Sequence, residues 1–330
     1  MDVIARPENP VQPLAVEAVE VVRSGPLADY STLFKLRVSA MVVVTSAAGF
    51  YLGCLRSAVS PIGFATVEAL AGIAVATCGS SALNQALERK TDRLQRRTCN
   101  RPMATGRIGL AHGVLVGLLA VLLGSLYLVR VANPLTGWLT LATAVGYVAV
   151  YTPLKRIGTI NTFVGAIPGA MPPLIGWVAV RGRVEWPAVA LFAILFVWQF
   201  PHFMAIGWMY REDFARAGIR ISATIEDTRT AVRSTVAQAL VYAALMIPVS
   251  LWPFALGTTG IAYAVAAGLL SLGYLWMTIR FTRIVHSPDL HDVDALSHRQ
   301  PARDLLHASI IYLPLLLATM MLDARGRFLF

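Results

Sequence analysis

Apolar residues in this chain fall into nine long stretches, at about 38–55, 63–86, 108–129, 134–152, 160–180, 186–208, 234–256, 259–279 and 304–322. Each approaches the ~20 residues that an α-helix needs to cross the hydrocarbon core of a bilayer. The polar positions are gathered between the stretches rather than alternating through them, so neither half-buried strands nor surface helices fit. The pattern predicts an all-α, polytopic membrane helical bundle of about nine transmembrane helices. The first stretch is short, and only Gly257 and Thr258 part the seventh from the eighth, so losing the first span and merging those two would lower the number to seven. The expected organisation is a cytosolic tail over 1–37, one transmembrane domain over 38–322 and a C-terminal tail over 323–330. The first segment is no signal peptide, because no basic start runs directly into an apolar stretch.

Composition agrees. Of 330 residues, 56% are hydrophobic and 14% charged, against about 25% charged in soluble domains. The formal charge of +10 would suggest nucleic acid in a soluble protein, but the placement of the charges excludes that partner here. With the N-terminus in the cytoplasm, the tail carries Arg6, Arg23, Lys35 and Arg37. Loop 2/3 carries Arg89, Lys90, Arg93, Arg96, Arg97, Arg101 and Arg107, and loops 4/5, 6/7 and 8/9 carry most of the rest. Only Arg56, Arg130, Arg181, Arg183, Arg325 and Arg327 fall on the other side. This is the positive-inside distribution of a multi-pass membrane protein, with the C-terminus outside. Cys54, Cys78 and Cys99 form neither a CxxC pair nor a zinc spacing.

Candidate chemistry collects on the basic side. Asn84, Glu88 and Asp92 recur every four residues and so share one helical face. Such oxygen donors suit Mg2+, a hard cation held by carboxylates and substrate phosphates. The arginines that follow, including Arg97 and Arg101, suit phosphate oxygens. The other reading of this stretch is a solvated helix end with i,i+4 ion pairs and positive-inside arginines. A second stretch repeats the design four helices later, from Tyr210 through Glu212 and Asp213 to Arg216 and Arg220. Two such copies suggest a parallel internal repeat of four-helix units. Tyr151, Thr152, Lys155, Arg156 and Asn161 belong to the same side. His202 is either a substrate contact or a partner for a backbone carbonyl. His112 reads as interfacial, His307 lies in the ninth stretch, and His286, His291 and His298 show no compact metal spacing. Gly165, Pro168, Gly169, Pro172, Pro173 and Gly176 crowd the fifth stretch, which is expected to bend or break. Close packing through small residues explains its glycines equally well. No P-loop, Rossmann glycine set, HExxH or GxSxG occurs.

Taken together, these motifs resemble the intramembrane UbiA-type prenyltransferases, which join an isoprenoid diphosphate to an aromatic or tetrapyrrole acceptor. The resemblance runs from about Tyr30 to Leu322. It covers Lys35 and Arg37, the run Asn84, Glu88, Asp92, Arg97, Thr98, Arg101-Pro102, and Tyr151-Thr152-Pro153-Leu154-Lys155-Arg156 with Asn161. It also covers Gly165, Gly169, Pro172-Pro173, Gly176-Trp177, Pro201-His202-Phe203, Tyr210, Asp213, Ala217-Gly218-Ile219 and Ser309 to Leu313. The YTPLKR, PPxxGW and PHF runs favour the branch whose acceptor is a haem. Tyr210 and Phe214 stand where quinone-type relatives carry aspartates four apart. Three departures are Lys35-Leu36 for the usual Lys-Pro, Met204 for an aromatic, and Arg220-Ile221-Ser222-Ala223 for Pro-Met-Leu-Pro.

The resemblance implies farnesyl transfer from farnesyl diphosphate to a vinyl group of haem B with addition of water, in the cell inner membrane. It implies that Asn84, Glu88, Asp92 and Asp213 hold one or two Mg2+, and that Arg97, Arg101, Lys155 and Arg156 neutralise the leaving diphosphate. Lys35, Arg37, Tyr151, Asn161, His202 and Tyr210 complete the implied substrate set. Membrane lipid and proteins of the haem A pathway or of oxidase assembly are the further implied partners. The rivals are prenyl transfer to a quinone precursor or chlorophyll-like ring, a haem or lipid transporter, and a structural assembly subunit.

Overall fold

A computed structural model describes residues 25–285 and 299–327, the last three by backbone alone. Arg6 and Arg23 of the tail, and His286, His291 and His298, lie outside the described residues.

Nine helices among the described residues are long and apolar enough to cross a membrane. They are Leu36–Arg56, Phe64–Asp92, Leu110–Val131, Pro134–Leu154, Asn161–Arg181, Trp186–Met209, Thr228–Ala255, Ile261–Val285 and Arg299–Ala324, called spans 1 to 9 below. The chain is therefore a multi-pass all-α membrane bundle. Local chemistry sets several ends. Asn133 caps span 4 by accepting from the Thr136 amide at 2.9 Å, and Asp227 caps span 7 by accepting from Thr230 at 3.0 Å. Gly182 ends span 5 in the left-handed conformation (φ +67°). Spans 7 and 8 are two helices after all. Gly257, at φ +69°, turns the chain between them, and the Asp323 carboxylate of the last helix accepts from the amides of Gly260 and Tyr263 at the start of span 8.

Several helices outrun their apolar stretches. Span 2 continues to Asp92, span 7 begins at Thr228, and the last helix extends from Arg299 to Arg327. A helix satisfies its own backbone, so it can leave the bilayer without unwinding. The tail expected over 1–37 also contains structure: Pro26–Leu33 is a short helix. Arg107 clamps it through Asp29 at 2.9–3.1 Å, and Tyr30 meets His112 at 2.7 Å.

Span 5 does not break at its three prolines but runs as one helix. Its glycines serve close approach. A Cβ on Gly176 would collide with the Ser46 carbonyl, and one on Gly49 with the Pro173 carbonyl, so spans 1 and 5 touch backbone to backbone. Spans 2 and 3 meet the same way through Gly79, Gly117 and Gly124. The main core lies between spans 1 and 5–9, with Leu191, Ile194, Met246, Phe281 and Leu316 fully or almost fully buried. Large apolar side chains such as Leu126, Trp138 and Leu269 face outward, as they do where lipid is the solvent.

Candidate active site

A cavity of about 220 Å3 opens at the end of the bundle where loops 2/3, 4/5 and 6/7 converge. Its polar wall includes Lys35, Glu88, Asp92, Gln95, Arg97, Thr98, Arg101, Tyr151, Lys155 and Asn161. Its apolar wall includes Phe203, Met204, Ile206, Phe214, Ile219 and Ile221.

Each polar side chain is placed by an identifiable element. The polar extension of span 2 carries Asn84, Glu88 and Asp92 on one face, as the spacing predicts. Loop 2/3 then folds back, with Thr98 Oγ1 donating to the Asp92 carbonyl at 3.0 Å. That return brings one Arg101 guanidinium nitrogen to both Asp92 oxygens, at 2.8 and 2.9 Å, and to 3.9 Å from Glu88 Oε2. Loop 4/5 supplies Lys155, whose Nζ donates to Glu88 Oε1 at 2.5 Å and lies 4.6 Å over the Tyr151 ring. Tyr151 ends a π-helical turn, Gly146–Tyr151, within span 4, an irregularity that often marks functional positions. Its ring fits only because Gly165 has no side chain.

Lys35 comes from the junction between the first short helix and span 1. It is a non-glycine residue at φ +46°, a strained conformation. Gln85 fixes the junction by donating to the carbonyls of Thr32 and Leu33 at 2.6 and 3.0 Å. Lys35 Nζ then donates to Asn84 Oδ1 at 2.5 Å, while Asn84 Nδ2 donates to Thr152 Oγ1 at 3.0 Å.

The electrostatics favour an anionic ligand. Lys35, Arg97, Arg101 and Lys155 outnumber Glu88 and Asp92 on the cavity wall. Burial pushes the Lys35 ammonium down to about 7, against the pull of Glu88. Burial also opposes the charge on Lys155, but Tyr151 and Glu88 outweigh it and hold that ammonium above its ordinary value. Burial, then the neighbouring Arg101, lower Arg97. Cations gathered in a partly desolvated cavity gain most from a multivalent anion.

The expected site divides under this geometry. Asn84 is wholly buried, and its amide oxygen faces Lys35. Asp213 pairs with Arg216 at 3.1 Å and is not on the cavity wall. No group of three or more His, Cys, Asp or Glu able to hold a metal occurs among the described residues. The donor set still fits Mg2+ in one form. Glu88 and Asp92, one turn apart on the wall, are hard oxygen donors, and Mg2+ completes its shell with phosphate oxygens and water.

Arg37 is exposed and away from the wall. Arg156 donates to Thr91 Oγ1 at 2.6 Å. Asn161 holds loop 6/7 by donating to the Arg220 carbonyl at 2.5 Å. His202 stacks on Trp198 with ring centroids 4.9 Å apart and meets Ser309 Oγ at 2.7 Å, apart from the cavity. Tyr210 lies under Arg97.

Thr152, expected on this face, accepts from Asn84; sequence reasoning missed Gln85 and the wall segment Ile221, Ser222 and Ala223. The last carried a signal, since it falls in the departure at 220–223. It is strapped down by the Arg220 amide, which donates to the Lys155 carbonyl at 2.8 Å, and by Gln238, which donates to Ser222 Oγ at 2.6 Å.

The profile of the UbiA prenyltransferase family matches residues 42–290. The chain is 44% identical over 313 residues to a protoheme IX farnesyltransferase of Koribacter versatilis, covering 94% of this chain and 97% of that one. It is 36% identical over 305 residues to a protoheme IX farnesyltransferase of Solibacter usitatus, covering 90% and 99%. Among solved structures, a digeranylgeranylglyceryl phosphate synthase superposes with a TM-score of 0.68 at 15% identity, covering 91% and 99%. A UbiA homologue from Archaeoglobus fulgidus, bound to GPP and Mg2+, superposes at 0.55 with 17% identity, covering 88% and 99%. At these identities the structures speak for the fold alone.

Proposed function

The chain belongs to the UbiA prenyltransferase family and, within it, to the protoheme IX farnesyltransferases, and from that membership we propose how its cavity works. The protein transfers the farnesyl group of farnesyl diphosphate to a vinyl group of protoheme IX, with addition of water, to give haem O and diphosphate. The observation that carries this reading at the level of residues is the cavity wall, where Lys35, Arg97, Arg101 and Lys155 surround Glu88 and Asp92 at the mouth of an apolar bundle.

In this reading the diphosphate binds among the four cations and the farnesyl chain lies against Phe203, Met204, Ile206 and Phe214. The bond between farnesyl C1 and the diphosphate oxygen breaks, and its electron pair leaves with the diphosphate. Negative charge grows on those oxygens, and fixed cations stabilise that state more than the ground state. The vinyl π electrons bond to C1. Water adds to the carbocation left on the acceptor side chain and releases a proton. Ile219, Ile221 and the aromatic wall limit water near the allylic cation. Mg2+, held by Glu88 and Asp92, would supply further neutralisation of the diphosphate. Asn84 serves as the seat of Lys35, and Arg156 and Asn161 brace loops 4/5 and 6/7.

We assign the basic face, with the N-terminus, to the cytoplasm and the C-terminus to the outside, supported by the arginine and lysine asymmetry. The acid–arginine segments after spans 2 and 6 are read as a parallel four-helix repeat, supported by their approach to one cavity. Association with oxidase assembly proteins belongs to the same reading.

The test is an assay of the purified protein with haem B, farnesyl diphosphate and Mg2+, read by chromatography and mass. The expected product is heavier than haem B by one farnesyl group plus water, and is lost with EDTA. A prenylated quinone precursor with no haem product would overturn the acceptor.

A further inference from the structure

Three of the four cations at the cavity already hold a close oxygen partner. Lys35 donates to Asn84, Lys155 to Glu88 and Arg101 to Asp92. Arg97 differs. Its one hydrogen bond among the described residues is a long one, 3.4 Å to Gln95 Oε1, and no ion pair to it is found there. Two rings hold it instead. Its guanidinium carbon lies 5.1 Å from the Tyr210 ring centroid and 4.8 Å from that of Phe214.

Tyr210 and Phe214 are four residues apart, across the short helix Arg211–Arg216, so both rings present to one side. Asp213, between them in sequence, is turned to Arg216. A carboxylate partner would neutralise Arg97 and consume its N–H donors. A ring face does neither: it attracts the cation through its π quadrupole and leaves the guanidinium N–H donors, apart from the one on Gln95, for another acceptor.

We propose that Tyr210 and Phe214 are positioning residues that hold Arg97 by its face so that its N–H edge is kept for the diphosphate of the prenyl donor. This rests on the reading of the cavity as the diphosphate site. The two rings thus take the place of acidic partners without spending the cation's charge. They also tie loop 6/7 to loop 2/3 across the cavity mouth, making the fixed cation depend on both.

The test uses the full-length protein in detergent, titrated calorimetrically with inorganic pyrophosphate in Mg2+, beside steady-state kinetics in farnesyl diphosphate. Each cation–π contact is worth about threefold in affinity, so Tyr210→Leu with Phe214→Leu is expected to weaken pyrophosphate binding about tenfold. KM should rise by more than kcat falls. Tyr210→Phe keeps the ring and is expected to bind within about twofold of the parent. In an Arg97→Gln background the leucine pair should cost almost nothing further, because the rings act through Arg97. Tyr210→Leu alone carries the same test, at about threefold, should the double variant fail to fold. Parent-like binding by the leucine variants, or a full loss repeated on top of Arg97→Gln, overturns the positioning role and leaves the diphosphate site standing. Absence of pyrophosphate binding by the parent overturns both.

Discussion

Lys35 Nζ donates to Asn84 Oδ1 at 2.5 Å, across 49 positions of sequence. The contact gives Asn84 a different part from the one its spacing suggests. Its oxygen is spent on an ammonium and its nitrogen on Thr152, so both ends of the amide orient neighbours. Asn84→Leu is expected to lower turnover about tenfold, by freeing Lys35 from a position in which it faces the leaving group. The Mg2+ concentration for half-maximal activity should stay within about twofold of the parent. A large rise in that concentration would return Asn84 to the metal shell.

Both carboxylate oxygens of Asp92 accept from one Arg101 nitrogen, and the residue is almost fully buried. Asp92→Asn removes a metal-binding oxygen charge and leaves Arg101 without its anion. Turnover with farnesyl diphosphate and haem B should fall at least ~100-fold. Near-normal turnover at saturating Mg2+ would remove Asp92 from the mechanism.

Glu88 and Lys155 form a half-buried pair on the cavity wall, and removing one partner strands the charge of the other. Lys155→Met should therefore lower the thermal midpoint of the protein in detergent as well as its activity. Combining it with Glu88→Gln should recover much of the stability and none of the turnover. Recovery of activity in the double variant would show that the pair is structural alone.

The architecture was legible in the sequence because a bilayer demands long apolar runs, and nine of them stand out. The face shared by Asn84, Glu88 and Asp92 was legible for a similar reason, since a helix repeats every 3.6 residues. What that face does was not. Glu88 meets Lys155 from 67 positions away and Asp92 meets Arg101 after a nine-residue return, and no periodicity encodes loop closures of that kind. His202 shows the converse. Its motif drew it into the expected site, yet its Nδ1 meets Ser309 on span 9, a contact that depends on how distant helices pack. Gln85, beside Asn84, was missed because its task is to fix carbonyls of a helix whose existence the mixed tail concealed.

Orientation gives another test, in a background with Cys54, Cys78 and Cys99 replaced. Ser60 and Thr159 are both exposed, on opposite faces of the bundle. Ser60→Cys should react with a membrane-impermeant maleimide in intact cells, and Thr159→Cys only after permeabilisation. The reverse pattern would put the cavity mouth outside.

The contact between spans 1 and 5 couples stability to the site. Gly49 and Gly176 face the Pro173 and Ser46 carbonyls, and a backbone carbonyl cannot swing aside as a side-chain end can. Gly49→Ala or Gly176→Ala must push the two helices apart, at a cost of about 1–3 kcal/mol. Span 1 begins beside Lys35, and span 5 begins at Asn161, which holds loop 6/7, so the same displacement reaches the cavity wall. Both variants are expected to unfold at lower temperature in detergent and to show a raised KM for farnesyl diphosphate. Gly268→Ala is the matched comparison, since nothing lies within 4 Å of its added methyl, and alanine favours a helix over glycine by ~1 kcal/mol. Equal melting temperatures for all three variants would mean that the close approach of spans 1 and 5 contributes nothing to the fold.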